Sequence, residues 1–183
     1  MQATVESTKT ELWDFEQVVR LYWQTIYRFI RASVRDADDA HALTQDCFMR
    51  SYLKRDSFRG QASIKTWMMK IAVNLVRDYE RDRRLRFWRR LSFSSTNPDE
   101  WSAHLSAVAV SPEEQASLNE QVRIIWQASR HLPEKQRTVF LLRFVEDMDL
   151  QEISGITGMK EGTIKVHLFR ALHAIRKRLG GSR

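Results

Sequence analysis

The chain predicts an all-α fold of two small helical domains joined by a flexible linker, and three observations carry that prediction. Apolar residues recur at helical spacing along most of its length. No Val/Ile/Thr-rich alternation bounded by turns appears, so no sheet is expected. A Ser-rich stretch with little periodicity, residues 91 to 111, separates two patterned halves. The expected division is therefore 1–90, a linker at 91–111, and 112–183, within a length of 183 residues that allows one ordinary domain or two small ones.

The first helix should run from about Glu11 to Val34, because Phe15, Val18, Val19, Tyr22, Ile26, Phe29 and Ile30 form one stripe. Asp36, Asp38 and Asp39 then suit the N-terminus of a second helix, which continues to about Lys54 with Leu43, Cys47, Phe48 and Ser51 inward. That acidic cluster lacks the alternating ligands and closing Glu of a calcium loop, so capping accounts for it better. Between Asp56 and Ser63 the periodicity breaks, Gly60 permitting a turn and Ser63 offering an N-cap. A long helix follows from Ile64 to about Arg86, burying Ile64, Trp67, Met68, Ile71, Leu75 and Tyr79. Its opposite face aligns Thr66, Lys70, Arg77, Arg81 and Arg84, with Asn74 at the edge, a basic stripe beside a loop able to receive an unstacked base.

Beyond the linker, Ser111-Pro112-Glu113-Glu114 reads as a helix start, with a Ser cap, Pro at the first position and acids in the first turn. Leu132-Pro133-Glu134 opens another helix, carrying Val139, Phe140, Leu142 and Phe144. The C-terminal part should be a bundle of about four helices. Its last two, meeting at Thr157-Gly158, read as a helix-turn-helix. At about 100° per residue, Ile164, Leu168, Ala171, Leu172, Ile175 and Leu179 share the buried side of the final helix. Gly162, Thr163, Val166, Phe169 and Arg170 face the other way, with Lys165 and His167 at the margins. Such a face offers cationic donors to guanine or phosphate and apolar edges to a thymine methyl, the contacts of a helix in a DNA major groove.

Charge agrees with a polyanionic partner. The net charge is +7, yet residues 65 to 90 hold nine Lys or Arg against three acids and residues 160 to 183 hold seven against one. The remainder is mildly acidic, which favours two contacts with one long polyanion over general stickiness. No apolar run is long enough to span a bilayer, so no membrane insertion is expected. The N-terminus, with Glu6, Glu11 and Asp14, lacks a signal peptide's basic head, and a cytoplasmic location is expected. Cys47, the single cysteine, has a small buried side chain as its default role.

No catalytic constellation is present: neither a Walker-type loop, nor His-Glu-x-x-His, nor Gly-x-Ser-x-Gly occurs, and the five histidines show no metal-chelating spacing. No enzyme, no cofactor and no metal are expected.

The ordered set of motifs resembles the extracytoplasmic-function (ECF) sigma factors of bacterial RNA polymerase. In the first half it comprises Asp38-Asp39-Ala40, Leu43-Thr44-Gln45-Asp46-Cys47-Phe48-Met49-Arg50, Asp56-Ser57-Phe58-Arg59-Gly60, Thr66-Trp67-Met68-Met69-Lys70-Ile71-Ala72-Val73-Asn74-Leu75 and Asp78-Tyr79. In the second half it comprises Leu132-Pro133-Glu134-Lys135-Gln136-Arg137, Gln151-Glu152-Ile153, Glu161-Gly162-Thr163-Ile164-Lys165 and Phe169-Arg170-Ala171. The resemblance implies sigma region 2 in the first half and sigma region 4 in the second. It implies that Gln45, Asp46 and Arg50 dock on core RNA polymerase. Phe58, Arg59, Gly60, Gln61 and Ser63, with Lys70, Asn74 and Arg77, would take the melted minus-ten strand of promoter DNA. Thr163, Lys165, Val166, His167, Phe169 and Arg170 would read the minus-thirty-five duplex. It implies an anti-sigma factor as a further partner, and a linker directed toward the polymerase active site, here bearing Asp99 and Glu100 and no Lys or Arg. Two other readings of the residues stand beside it. A self-sufficient helix-turn-helix regulator would use residues 112–183 and leave the first ninety idle, and a helical adaptor would bind protein alone with both basic faces solvated.

Overall fold

A computed structural model describes residues 15–34, 36–93 and 120–180, and among these the chain forms seven α-helices and one 3-10 turn, with no strand. The first three residues of the expected linker, 91–93, continue a helix, and its remainder and the helix start at Ser111 lie outside the described residues. Helix α1 spans Phe15–Ser33, α2 Ala37–Leu53 and α3 Ile64–Phe93. In the second half, α4 spans Glu120–Ser129, α5 Glu134–Phe144, α6 Leu150–Thr157 and α7 Glu161–Gly180.

Helices α1, α2 and α3 pack mutually around Ile26, Phe29, Ile30, Cys47, Phe48, Met68, Met69, Ala72 and Val76. Local chemistry sets where they begin. The Asp36 carboxylate accepts from the Asp38 and Asp39 amides at 2.8 and 3.1 Å, so the acidic cluster is a cap. Ser63 Oγ accepts from the Thr66 amide at 3.0 Å and caps α3. Tyr79 donates to Asp39 Oδ2 at 2.6 Å, tying α3 to the start of α2, and burial with that carboxylate pushes its hydroxyl well above the usual phenol range. Helix α3 runs to Phe93, past the end expected near Arg86, and buries Met69, Ala72, Val73 and Val76 along with Met68 and Leu75, while Ile64, Trp67, Ile71 and Tyr79 of the expected stripe are half-buried against that core.

The C-terminal bundle is built on Leu132, Val139, Leu141, Leu142, Ile153, Ile156, Ile164, Ala171 and Ile175. Helix α6 begins with a capping box. Asp149 Oδ1 accepts from the Glu152 amide at 2.8 Å, and Glu152 Oε2 accepts from the Asp149 amide at 3.0 Å. It ends at Gly158, whose φ of +74° is left-handed and lets the chain turn into α7. One residue expected on the buried side differs: Leu179 lies exposed in the last turn of α7, where no other helix among the described residues covers it, and Phe144 is 52% exposed at the end of α5.

The two helical units are docked on each other. Helix α6 packs on α3, and α5 meets α1. This places Thr66, expected on the exposed basic face, in the interface at 8% exposure, with its hydroxyl donating to Glu152 Oε1 at 2.9 Å.

Candidate nucleic-acid interface

Helix α7 presents the clearest surface. Ile164, Ala171 and Ile175 are buried, whereas Thr163, Lys165, Val166, Phe169 and Arg170 are exposed, Phe169 at 72%. An aromatic side chain so exposed adds nothing to the core, and nonetheless it stands beside two cations on the face expected to enter a groove. Gly158 and the Thr157 hydroxyl, which accepts from the Met159 amide at 3.3 Å, set the angle between α6 and α7. His167 departs from this group. It is half-buried, its Nδ1 has no hydrogen-bond partner among the described residues, and burial, then Lys135 and Arg170, lower its pKa below the usual imidazole value.

The loop before α3 forms a second surface. Phe58 packs edge-on against Trp67 at 5.6 Å, and Arg59, Gly60, Gln61 and Ser63 are exposed around it. Gly60 has φ +69°, a conformation that needs no side chain, and open space surrounds it. Lys70 and Arg77 are exposed on α3 with Asn74 half-buried between them, and Arg77 donates to Asn74 Oδ1 at 2.8 Å. That bond preorients the amide along the stripe. Arg77, Arg81 and Arg84 then continue into a cleft of about 510 Å³ whose other wall is Pro133, Glu134, Lys135, Gln136 and His167. The cleft thus joins the basic stripe of α3 to the start of α5, and of the second basic stretch only His167 reaches it.

On α2, Gln45 is exposed, and Arg50 holds Asp46 through two contacts of 2.9 Å. The bond to Asp46 raises the already high guanidinium pKa further. Sequence reasoning missed the apolar neighbours on this face, Met49 at 58% exposure and Leu53 at 69%. The available signal was their spacing of four from Gln45 and Met49 on the side opposite Cys47. Together these residues make an amphipathic patch suited to protein rather than to DNA. Among the described residues no group of His, Cys, Asp or Glu could hold a metal, and no helix is long and apolar enough to cross a membrane.

Comparison with known proteins converges with this geometry. Residues 16–95 match the family "Sigma-70 region 2" and residues 122–175 match "Sigma-70, region 4". The chain is 29% identical over 165 residues to the ECF RNA polymerase sigma factor SigW of Bacillus subtilis, covering 90% of this chain and 88% of that protein. It is 31% identical over 141 residues to the ECF RNA polymerase sigma-E factor of Escherichia coli K12, covering 75% and 72%. Among solved structures, the sigma factor RpoE in complex with the anti-sigma factor NepR from Bartonella quintana superposes with a TM-score of 0.73 at 25% identity, over 93% of this chain and 99% of that one. CnrH, in complex with the cytosolic domain of CnrY, shares the fold at a TM-score of 0.63 and 16% identity, over 92% and 89%. With both regions present in order, and likeness running through most of each relative, the chain belongs to the ECF sigma factors of bacterial RNA polymerase.

Proposed function

We propose that this sigma factor divides promoter recognition between its two surfaces. The loop Phe58 to Ser63, with Lys70, Asn74 and Arg77, takes the non-template strand of the melted minus-ten element, and Phe58, Gly60 and the exposed polar side chains give an extruded base room and partners. Thr163, Lys165, Val166, Phe169 and Arg170 read the minus-thirty-five element as duplex, with His167 at the edge of that face. Gln45, Asp46 and Arg50, joined by Met49 and Leu53, dock on core polymerase. Residues 1–90, 91–111 and 112–183 serve as region 2, linker and region 4. The protein contributes no catalysis of its own; it works in the cytoplasm with the polymerase, and its partners include an anti-sigma factor, as the likeness to RpoE bound by NepR suggests.

The observation that carries this reading is the face of α7, where Phe169 and Arg170 stand exposed beside a core-anchored Ile164. An anchored helix with a cationic and apolar outer face fits a groove and has no evident use in the core. Run-off transcription with purified core polymerase over a promoter library tests it. Start sites sharing spaced minus-thirty-five and minus-ten elements are expected only when the protein is added. A protein that leaves bare core enzyme without start-site choice refutes the reading.

A further inference from the structure

The cleft between α3 and the start of α5 holds more positive charge than promoter reading uses. Arg77, Arg81 and Arg84 follow one another at intervals of four and three residues, so their exposed side chains leave one face of α3 over about 10 Å of its axis. Lys135 lines the other wall, in the first turn of α5. It makes no hydrogen bond or ion pair with another described residue.

Nearby acids offset only part of that charge. Glu134, the one carboxylate lining the cleft, is bound to Arg84 at 2.9 Å. Arg81 lies 3.4 Å from Asp78 and 3.8 Å from Asp82, surface pairs of little strength. Arg77 binds the neutral amide of Asn74. A guanidinium carries five N–H donors, so each arginine keeps several for a ligand. His167, on the same wall as Lys135, registers the excess: burial first, then the charges of Lys135 and Arg170, lower its pKa.

The backbone adds donors. Pro133 stands at the cap position of α5 with no side-chain cap, and the first bond of the helix runs from the Arg137 amide to the Pro133 carbonyl at 2.9 Å. The Glu134, Lys135 and Gln136 amides therefore have no acceptor inside the helix, and all three residues line the cleft. Its volume of about 510 Å³ falls in the range of small-ligand sites, roughly 300 to 1,000 Å³. Four cations spread over two walls exceed what one tetrahedral anion can meet. A chain of linked phosphates presents oxygens in several directions, and guanidinium groups hold such oxygens in pairs.

We propose that this cleft is a binding site for an oligophosphate, two or three phosphates joined in a chain, held by Arg81, Arg84 and Lys135 with Arg77 shared with the strand-binding stripe. The ligand is an inorganic phosphate chain or the phosphate tail of a nucleotide. Arg81, Arg84 and Lys135 belong to neither DNA surface described above, so the site is an addition to promoter reading.

The test is isothermal titration calorimetry of the full chain with inorganic triphosphate at about 0.15 M salt, where attraction beyond about 8 Å is screened. Triphosphate should bind at least about tenfold more tightly than orthophosphate. Arg81→Ala combined with Lys135→Ala, both at exposed positions outside the core, should weaken triphosphate binding at least about tenfold. Arg176→Ala combined with Lys177→Ala removes the same charge from the exposed end of α7, away from the cleft, and should weaken it less than about twofold. Adenosine triphosphate binding more tightly than inorganic triphosphate supports the proposal with a nucleotide as the source; equal or weaker binding supports it with the phosphate chain alone. Absence of triphosphate binding, no preference over orthophosphate, or equal losses in the two double variants overturns it. So does a cleft variant that keeps its triphosphate affinity while its holoenzyme binds promoter more weakly, which would give the cleft to the DNA backbone.

Discussion

Two substitutions six residues apart on α7 should have opposite consequences. Ile164 is fully buried in the first turn of the helix, where its amide also closes a bond to the Lys160 carbonyl at 3.0 Å. Ile164→Ala removes three buried carbons, which at about 0.8 kcal/mol each sets a floor near ~2.4 kcal/mol, and the residual cavity raises the cost toward about 5 kcal/mol. For a small helical unit that is a large share of its stability. Arg170 is exposed and supports nothing in the core, so Arg170→Ala should alter stability by no more than about 0.5 kcal/mol. Its cost should fall instead on promoter affinity, by about 1 to 3 kcal/mol. Urea denaturation followed by circular dichroism measures the first quantity, and titration of promoter DNA with holoenzyme the second. Wild-type promoter affinity in Arg170→Ala, or an Ile164→Ala protein with an unchanged midpoint, would refute this assignment of the two faces.

Gly155 sits inside α6 with open space where a Cβ would go, so Gly155→Ala should stabilise the protein by about 0.8 to 1.0 kcal/mol, read as a higher urea midpoint. Burial pushes the Cys47 thiol up to about 12, so iodoacetamide should modify it only as fast as the chain unfolds, and prompt labelling of native protein would contradict this. Because the unfolded thiol ionises first as pH rises, the stability linked to Cys47 should be complete below the ordinary thiol range and decline as pH climbs from there toward about 12. Asn74→Ala should weaken strand opening, followed by permanganate reactivity, more than initial duplex binding followed by gel shift; equal losses in both would argue against a single-strand role.

Local chemistry explains what could be read from the sequence. The caps at Asp36 and Ser63, the left-handed Gly158 and the buried row of Ile164, Ala171 and Ile175 each depend on neighbours within a few residues, so spacing alone exposes them. Thr66 went astray for the opposite reason. Its environment is set by Glu152, 86 residues away, and helical periodicity carries no information about which exposed face a second unit will cover. Glu146 was invisible in the same way, one acid among many until docking places it between Arg28 and Lys65. Leu179 was placed on the buried side of α7 because it continues the apolar row, but the helix outruns the bundle there and no other helix among the described residues closes over it. Of the site residues, the outer face of α7 followed from the helix's own inner face. The roles of Gln45, Asp46 and Arg50 came only from family resemblance, since an intrahelical Arg–Asp pair is by itself an ordinary surface feature.

Glu152 divides its two oxygens between neighbours with different fates, Oε2 serving the start of its own helix and Oε1 touching Thr66 across the boundary. Loss of the contact across the boundary would leave the cap intact, so the start of α6, and with it the seat of α7, is secured within its own unit.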